Sequence, residues 1–305
     1  MLDADYYRPE TTADLAELLQ RTGGKVIAGG TDVIPRSQRG QFLTDCLIDI
    51  SRLKDLRFIR SVDGQIQIGA LTTHNDLAGS PLLQAAAPAL VQAAATIGCP
   101  QTRQRGTLGG NLANASPAAD TAPPLLALDA RLRLVHGSHT REVPLCEFFT
   151  GPGKTSLLDG EYIERIAFQQ PAQFSGSAFY KLGKRSGMAI SIVSAAVSLE
   201  MDASGIITAA RVALGSVAPT PIRSPHAEQV LTGQIASQGL FEQAGQAARQ
   251  DISPIGDVRA PAEYRAHAAA VVIQRVLDLA VQATHPLAHS YTRSIGARRG
   301  ERRSI

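Results

Sequence analysis

Residues 107–120 read TLGGNLANASPAAD: two adjacent glycines, two asparagines, one aspartate and no apolar residue larger than leucine. An Arg-rich approach, PQTRQRG, leads into the stretch, and an apolar helix-like run, TAPPLLALDA, leads out of it. So much small, hydrogen-bonding surface forbids a packed strand or a long helix. It demands a loop whose backbone comes close to something. A second segment of the same kind, VIAGGTD at residues 26–32, directly follows a short apolar strand, KVI. Successive exposed N–H groups on such loops form a nest for an anion such as phosphate. Thr31 and Thr107 add hydroxyls, Asn111 and Asn114 add amides, and the Asp120 carboxylate suits a ribose hydroxyl or an adenine amine. A single AGG or GGN is usually a plain turn, and two of them with adjoining hydroxyls shift the balance toward nucleotide binding. Neither segment fits the dinucleotide fingerprint G-x-G-x-x-G or the P-loop G-x-x-x-x-G-K-[ST].

Around these loops the chain divides into regions of different texture. In residues 1–56, TTADLAELLQRTGG has Leu15, Leu18 and Leu19 at helical spacing, Thr11 or Thr12 to cap, and glycines to end the helix. The strands KVI and CLIDI complete a small α/β unit. Residues 57–172 open with the alternating strand QIQIG, and a threonine then caps a short helix. An Ala-rich helical run, LLQAAAPALVQAAATIG, precedes the second loop, and the strands RLRLV and YIERIAF follow it. In VHGSH, His136 and His139 suit an exposed hairpin better than a metal site. Residues 173–285 offer two strands around a turn at residues 202–205, then helices. The last helix has an expected apolar stripe of Ala268, Val271, Val272, Arg275, Val276 and Leu279. Residues 286–305 form a basic tail, read as a solvated end.

Composition narrows the function. The 305 residues are 44% hydrophobic and 19% charged, a globular balance. There is no tryptophan, and five tail arginines against Glu301 leave the rest of a +3 chain at about −1, so a nucleic-acid face is not expected. The first residues, MLDADYYRPE, lack the apolar core of a secretory signal, and no run is long enough to span a bilayer. Cys46, Cys99 and Cys146 are sparse and odd in number, as in a reducing, cytoplasmic compartment. Their wide spacing cannot supply the four thiolates of an iron–sulfur cluster or a zinc finger. Neither H-E-x-x-H nor G-x-S-x-G occurs. The residues alone describe a phosphate- or nucleotide-binding α/β protein.

One run is more specific. IGCPQTRQRGTLGGNLANASPAADTAPPLLALDA, residues 97–130, closely resembles the FAD-binding (medium) subunit family of the molybdenum hydroxylases, to which carbon monoxide and xanthine dehydrogenases belong. KVIAGGTDVIP, LDGEYIERIAF and FYKLGKRSGMAISIVSAAVSL match further family segments in order, over nearly the whole chain. The resemblance implies an α+β fold: two α/β FAD-binding subdomains of the vanillyl-alcohol oxidase (PCMH) type, then an α+β C-terminal domain. That fold would account for the missing Rossmann fingerprint. It implies FAD held by Ala28, Gly29, Gly30, Thr31 and Asp32 and by Thr107, Leu108, Gly109, Gly110 and Asn111, with Asn114 beside them. Ile97, Asp120, Ile163 and Lys181 would be further contacts. It implies no metal and no catalytic side chain here, the redox chemistry being FAD's. Molybdopterin and two [2Fe–2S] clusters would sit in a large and a small partner subunit, as a dimer of heterotrimers, and electrons would leave FAD for an external acceptor. The cysteine-rich [4Fe–4S] insertion of some members is absent, which separates the chain from those branches. A self-contained flavin oxidase of the same fold class and a non-catalytic nucleotide-binding scaffold are the competing readings.

Overall fold

The computed structural model describes residues 4–41, 44–172 and 174–284. The basic tail, 286–305, lies outside them. The first helix, Thr12–Thr22, begins with a reciprocal cap: the Thr11 side chain accepts from the Asp14 N–H and the Asp14 carboxylate accepts from the Thr11 N–H. It ends at Gly23, whose φ of +59° closes the last turn with an N–H to the Leu19 carbonyl. Leu15 and Leu19 face a three-stranded parallel sheet, ordered Asp5–Tyr7, Cys46–Asp49, Lys25–Ile27. The central strand is buried along its whole length, which explains its unbroken apolar start, CLI. Gly24 has a packing role instead, since a Cβ there would lie 2.6 Å from the Cys46 sulfur.

The next unit is a five-stranded antiparallel sheet, ordered Ile59–Val62, Gln65–Gly69, Tyr162–Gln169, Arg131–His136, His139–Pro144. Six short helices fill the chain between Gly69 and Arg131. The Ala-rich run, expected as one helix, is two: Pro81–Ala86 and Pro88–Thr96. Pro88 removes an N–H and pushes Ala87 out of the helical region, to φ −149° and ψ 58°. Ile66, Ile68, Leu132, Leu134 and Ile166 pack beneath the sheet against Leu83, Leu90, Leu108 and Leu125.

The C-terminal unit is a four-stranded antiparallel sheet, ordered Ser175–Leu182, Val193–Met201, Ile207–Gly215, Ile222–Arg223. The expected turn is present: Gly205 has φ +83°, and the Asp202 carboxylate accepts from the N–H groups of Ser204 and Ile206. Side chains alternate between the two faces. Ala195, Val197 and Leu199 face the helices Pro225–Leu231, Gln238–Ala247 and Ala262–Thr284, whereas Phe179, Ala196 and Ala213 join the core of the preceding unit. The last helix is turned relative to the expected stripe. Ala268, Val272 and Val276 are buried, but the neighbouring row is Ala269, Ile273, Leu277 and Ala280. Val271 and Leu279 are 47% and 39% exposed. Apolar residues flank the shared row on both sides, so periodicity alone could not set the rotation. Packing onto the sheet sets it.

Candidate functional site: two glycine loops and a buried ion pair

The first loop leaves the parallel sheet at Ile27 and enters a short helix, Val33–Gln38. Gly30 has φ +71°, and its carbonyl accepts the Ile34 N–H. Among the described residues, the backbone N–H groups of Gly29, Gly30, Thr31 and Asp32 donate to no protein acceptor. They form an open donor row of the kind that binds anions. Gly29 also meets the chain that leads into the second loop. A Cβ there would fall 1.8 Å from the Arg105 carbonyl oxygen. The two loops are therefore neighbours, backbone to backbone, although 77 residues separate Gly29 from Gly106.

The second loop is built differently. Thr107 caps the helix Leu108–Ala113, its hydroxyl accepting the Gly110 N–H at 3.1 Å. The N–H groups of Leu108 and Gly109 are already used, donating to the carbonyls of Thr72 and Ala70 at 2.9 Å each. Gly109 permits this approach, since a Cβ would lie 2.7 Å from that of Ala70. Leu108 itself belongs to the core. Gly110 is exposed, and the Asn111 side-chain oxygen accepts the Thr121 hydroxyl at 2.6 Å. Asn114 ends the helix, half-buried. Leu108, Gly109 and Gly110 thus spend their N–H groups inside the protein and anchor the loop, and the side-chain amide nitrogens of Asn111 and Asn114 are the donors it has left among the described residues.

Ile97 lies in the approach to this loop, its carbonyl accepting from Arg103 at 3.0 Å. Ile163 sits opposite Leu134 in the five-stranded sheet with its side chain in the core. The strand shifts register just after it, and the Glu164 carbonyl accepts the Ala70 N–H at the root of the second loop.

Asp120 and Lys181, expected as separate contacts, meet. Asp120 is 6% exposed; its carboxylate lies 2.5 Å from the Lys181 ammonium and accepts the Ser191 hydroxyl at 2.6 Å. Lys181 also reaches toward the Thr96 carbonyl, at 3.5 Å. Burial pushes the Asp120 carboxyl above the usual carboxylate range, while the Lys181 ammonium and the Ser191 hydroxyl pull against that rise. Sequence reasoning missed Ser191, which carries no local signal in SGMAIS. It also missed His74, which follows the capping residue Thr73 and lies against Gly106. The His74 ring is 3% exposed, and its Nδ1 has no partner among the described residues. Burial, with the charge of Arg103 adding to it, lowers its pKa to about 4.

Comparison with known proteins agrees with this architecture. Residues 2–170 match the FAD binding domain in molybdopterin dehydrogenase, and residues 178–280 match the CO dehydrogenase flavoprotein C-terminal domain. The xanthine dehydrogenase FAD-binding subunit of Escherichia coli O157:H7 is 36% identical, covering 92% of this chain and 97% of its own. The carbon monoxide dehydrogenase medium chain of Hydrogenophaga pseudoflava is 33% identical, over 90% of this chain and 96% of that one. A solved structure of carbon monoxide dehydrogenase from Hydrogenophaga pseudoflava, lacking the Mo-pyranopterin moiety of its molybdenum cofactor, superposes with a TM-score of 0.87 at 33% identity, covering 91% of this chain and 96% of that one. The site fits FAD: among the described residues the first-loop N–H groups have no protein acceptor, Gly29 allows the close backbone approach, and the charge of Arg103 acts on the ring of His74 beside Gly106. The chain belongs to the family of FAD-binding subunits of the molybdenum hydroxylases, and is a flavoprotein subunit of an oxidoreductase.

Proposed function

We propose that this chain is the electron-exit subunit of a complex with a molybdopterin-binding large subunit and a [2Fe–2S] small subunit, arranged as a dimer of heterotrimers in the cytoplasm. When bound, FAD supplies redox chemistry that accepts and releases electrons singly or in pairs, which suits a junction between one-electron clusters and an external acceptor. The observation that carries the proposal is the meeting of the two glycine loops, with Lys181 of the C-terminal sheet and Ser191 just before its second strand converging on Asp120 after the second loop. Residues 1–56 and 57–172 would each supply one loop, and residues 173–285 the closing sheet.

Within that site each group has a task. Gly29, Gly30, Thr31 and Asp32 would offer their N–H groups to the FAD phosphates, with Ala28 at the strand end. Thr107, Leu108 and Gly109 would hold the second loop in place, and Gly110, Asn111 and Asn114 would face the cofactor. Ile97 and Ile163 would line it. Asp120 and Lys181, neutralising each other, would brace the FAD-binding units against the C-terminal sheet.

The chain's own cysteines support the division of labour. Cys46 is buried in the core of the parallel sheet, and Cys146 is exposed on a different unit. Affinity purification of the full chain from its native host tests the proposal. The expected result is co-purification of an iron-containing and a molybdenum-containing chain, with flavin bleaching on substrate addition in the complex and not in the isolated chain. Stoichiometric iron in the isolated chain would overturn it.

A further inference from the structure

We propose that His74 is a further FAD-binding residue, whose Nε2–H donates to a phosphate oxygen of the dinucleotide where the two glycine loops meet. The inference rests on the FAD site described above and adds a residue from neither loop.

The geometry starts from the backbone. The His74 N–H donates to the Gly106 carbonyl at 3.0 Å, and Thr73 pairs with Thr107 in an isolated bridge. The ring then lies along Gly106. A Cβ on Gly106 would stand 3.0 Å from His74 Cδ2 and 3.4 Å from Nε2. The Cδ2–Nε2 edge therefore faces the residue between Arg105, whose carbonyl abuts Gly29, and Thr107, whose hydroxyl caps the second loop.

The chemistry then selects the donor. The ring is buried, and Nδ1 has no partner among the described residues. Buried donors left unpaired are rarer than buried acceptors. The neutral ring therefore carries its proton on Nε2 and leaves Nδ1 bare. The burial and the nearby Arg103 that keep the ring neutral do not prevent it from donating. A leucine or phenylalanine would fill the same space with no bare polar atom. A histidine here is accounted for by a ligand at its other nitrogen. The positive charge of Arg103 acts at this ring, so an anion is the favoured acceptor.

The test uses the full-length apoprotein, titrated with FAD and with ADP and followed by flavin fluorescence and competition. Loss of one hydrogen bond to a charged oxygen should weaken His74→Leu for both ligands by about 10- to 100-fold. His74→Gln, whose amide nitrogen reaches the Nε2 position, should restore most of the affinity. His74→Asn, whose amide reaches only the Nδ1 position, should not. If the leucine variant fails to fold, the Gln–Asn contrast decides. Wild-type FAD binding is the control that separates this proposal from the FAD site itself. The proposal is overturned by unchanged affinity in His74→Leu, by Gln binding no better than Asn, or by weakening confined to FAD with ADP unaffected.

Discussion

The ammonium of Lys181 lies 2.5 Å from the carboxylate of Asp120, 61 residues earlier in the chain, and the pair is almost wholly buried. It ties the end of the second loop to the first strand of the C-terminal sheet. Each charge is compensated by the other. Removing one partner leaves the other buried and uncompensated, which costs about 3–5 kcal/mol. Lys181→Met should therefore lose that much stability at neutral pH by urea unfolding. The double variant with Asp120→Asn should lose clearly less than the two singles together. The pH trend has a definite sign. A buried carboxyl with a raised pKa keeps its proton longer in the folded state, so stability is lost as pH rises above the unfolded value. In Lys181→Met, with no ammonium to oppose that rise, the protein should be more stable at pH 5 than at pH 8.

Gly29→Ala should separate the loops. The new Cβ meets a backbone carbonyl at 1.8 Å, which no rotamer change relieves. Expected results are loss of FAD binding and a lower melting temperature. Gly23→Ala is the control. Its φ of +59° costs on the order of 1 kcal/mol, but no atom lies within 4 Å of the added methyl. FAD should bind it normally, and equal FAD loss in both variants would contradict the placement of Gly29.

His74 makes the apoprotein sensitive to acid. Its folded pKa of about 4 lies below the ordinary imidazole value of 6.5, so the unfolded chain binds the proton first. Stability from this residue is complete above about pH 6.5 and falls as pH drops toward 4, by up to about 3 kcal/mol. His74→Gln should flatten that slope in urea titrations between pH 4 and 7. An unchanged slope would show that the imidazole is not held neutral.

Denaturing the purified chain should release FAD and no FMN, as read by chromatography of the supernatant. The motive is the row of N–H groups from Gly29 to Asp32, without an acceptor among the described residues and beside the backbone that leads into the second loop, which suits a pyrophosphate shared by two loops. FMN as the sole flavin would contradict that arrangement.

Much was legible in the sequence because its cause is local. The Thr11–Asp14 cap, the Gly23 stop and the Asp202 turn each depend on residues within a few positions of one another. Alternation placed the strands, and the ordered motifs located both glycine loops. The remainder depends on contacts between distant parts of the chain. Leu108 and Gly109 looked like free donors until Thr72 and Ala70 took their N–H groups. The last helix carried apolar residues on both flanks, and only the sheet beneath it selected Ile273 and Leu277 over Val271 and Leu279. Lys181, Ser191 and Asp120 converge because separate units pack together, and His74 comes to lie under Gly106 because two helices of one unit, 32 residues apart, meet. Local propensity spans a turn or a strand. Pairing across 61 or 71 residues is decided by which buried faces meet, and that is a property of the folded molecule alone.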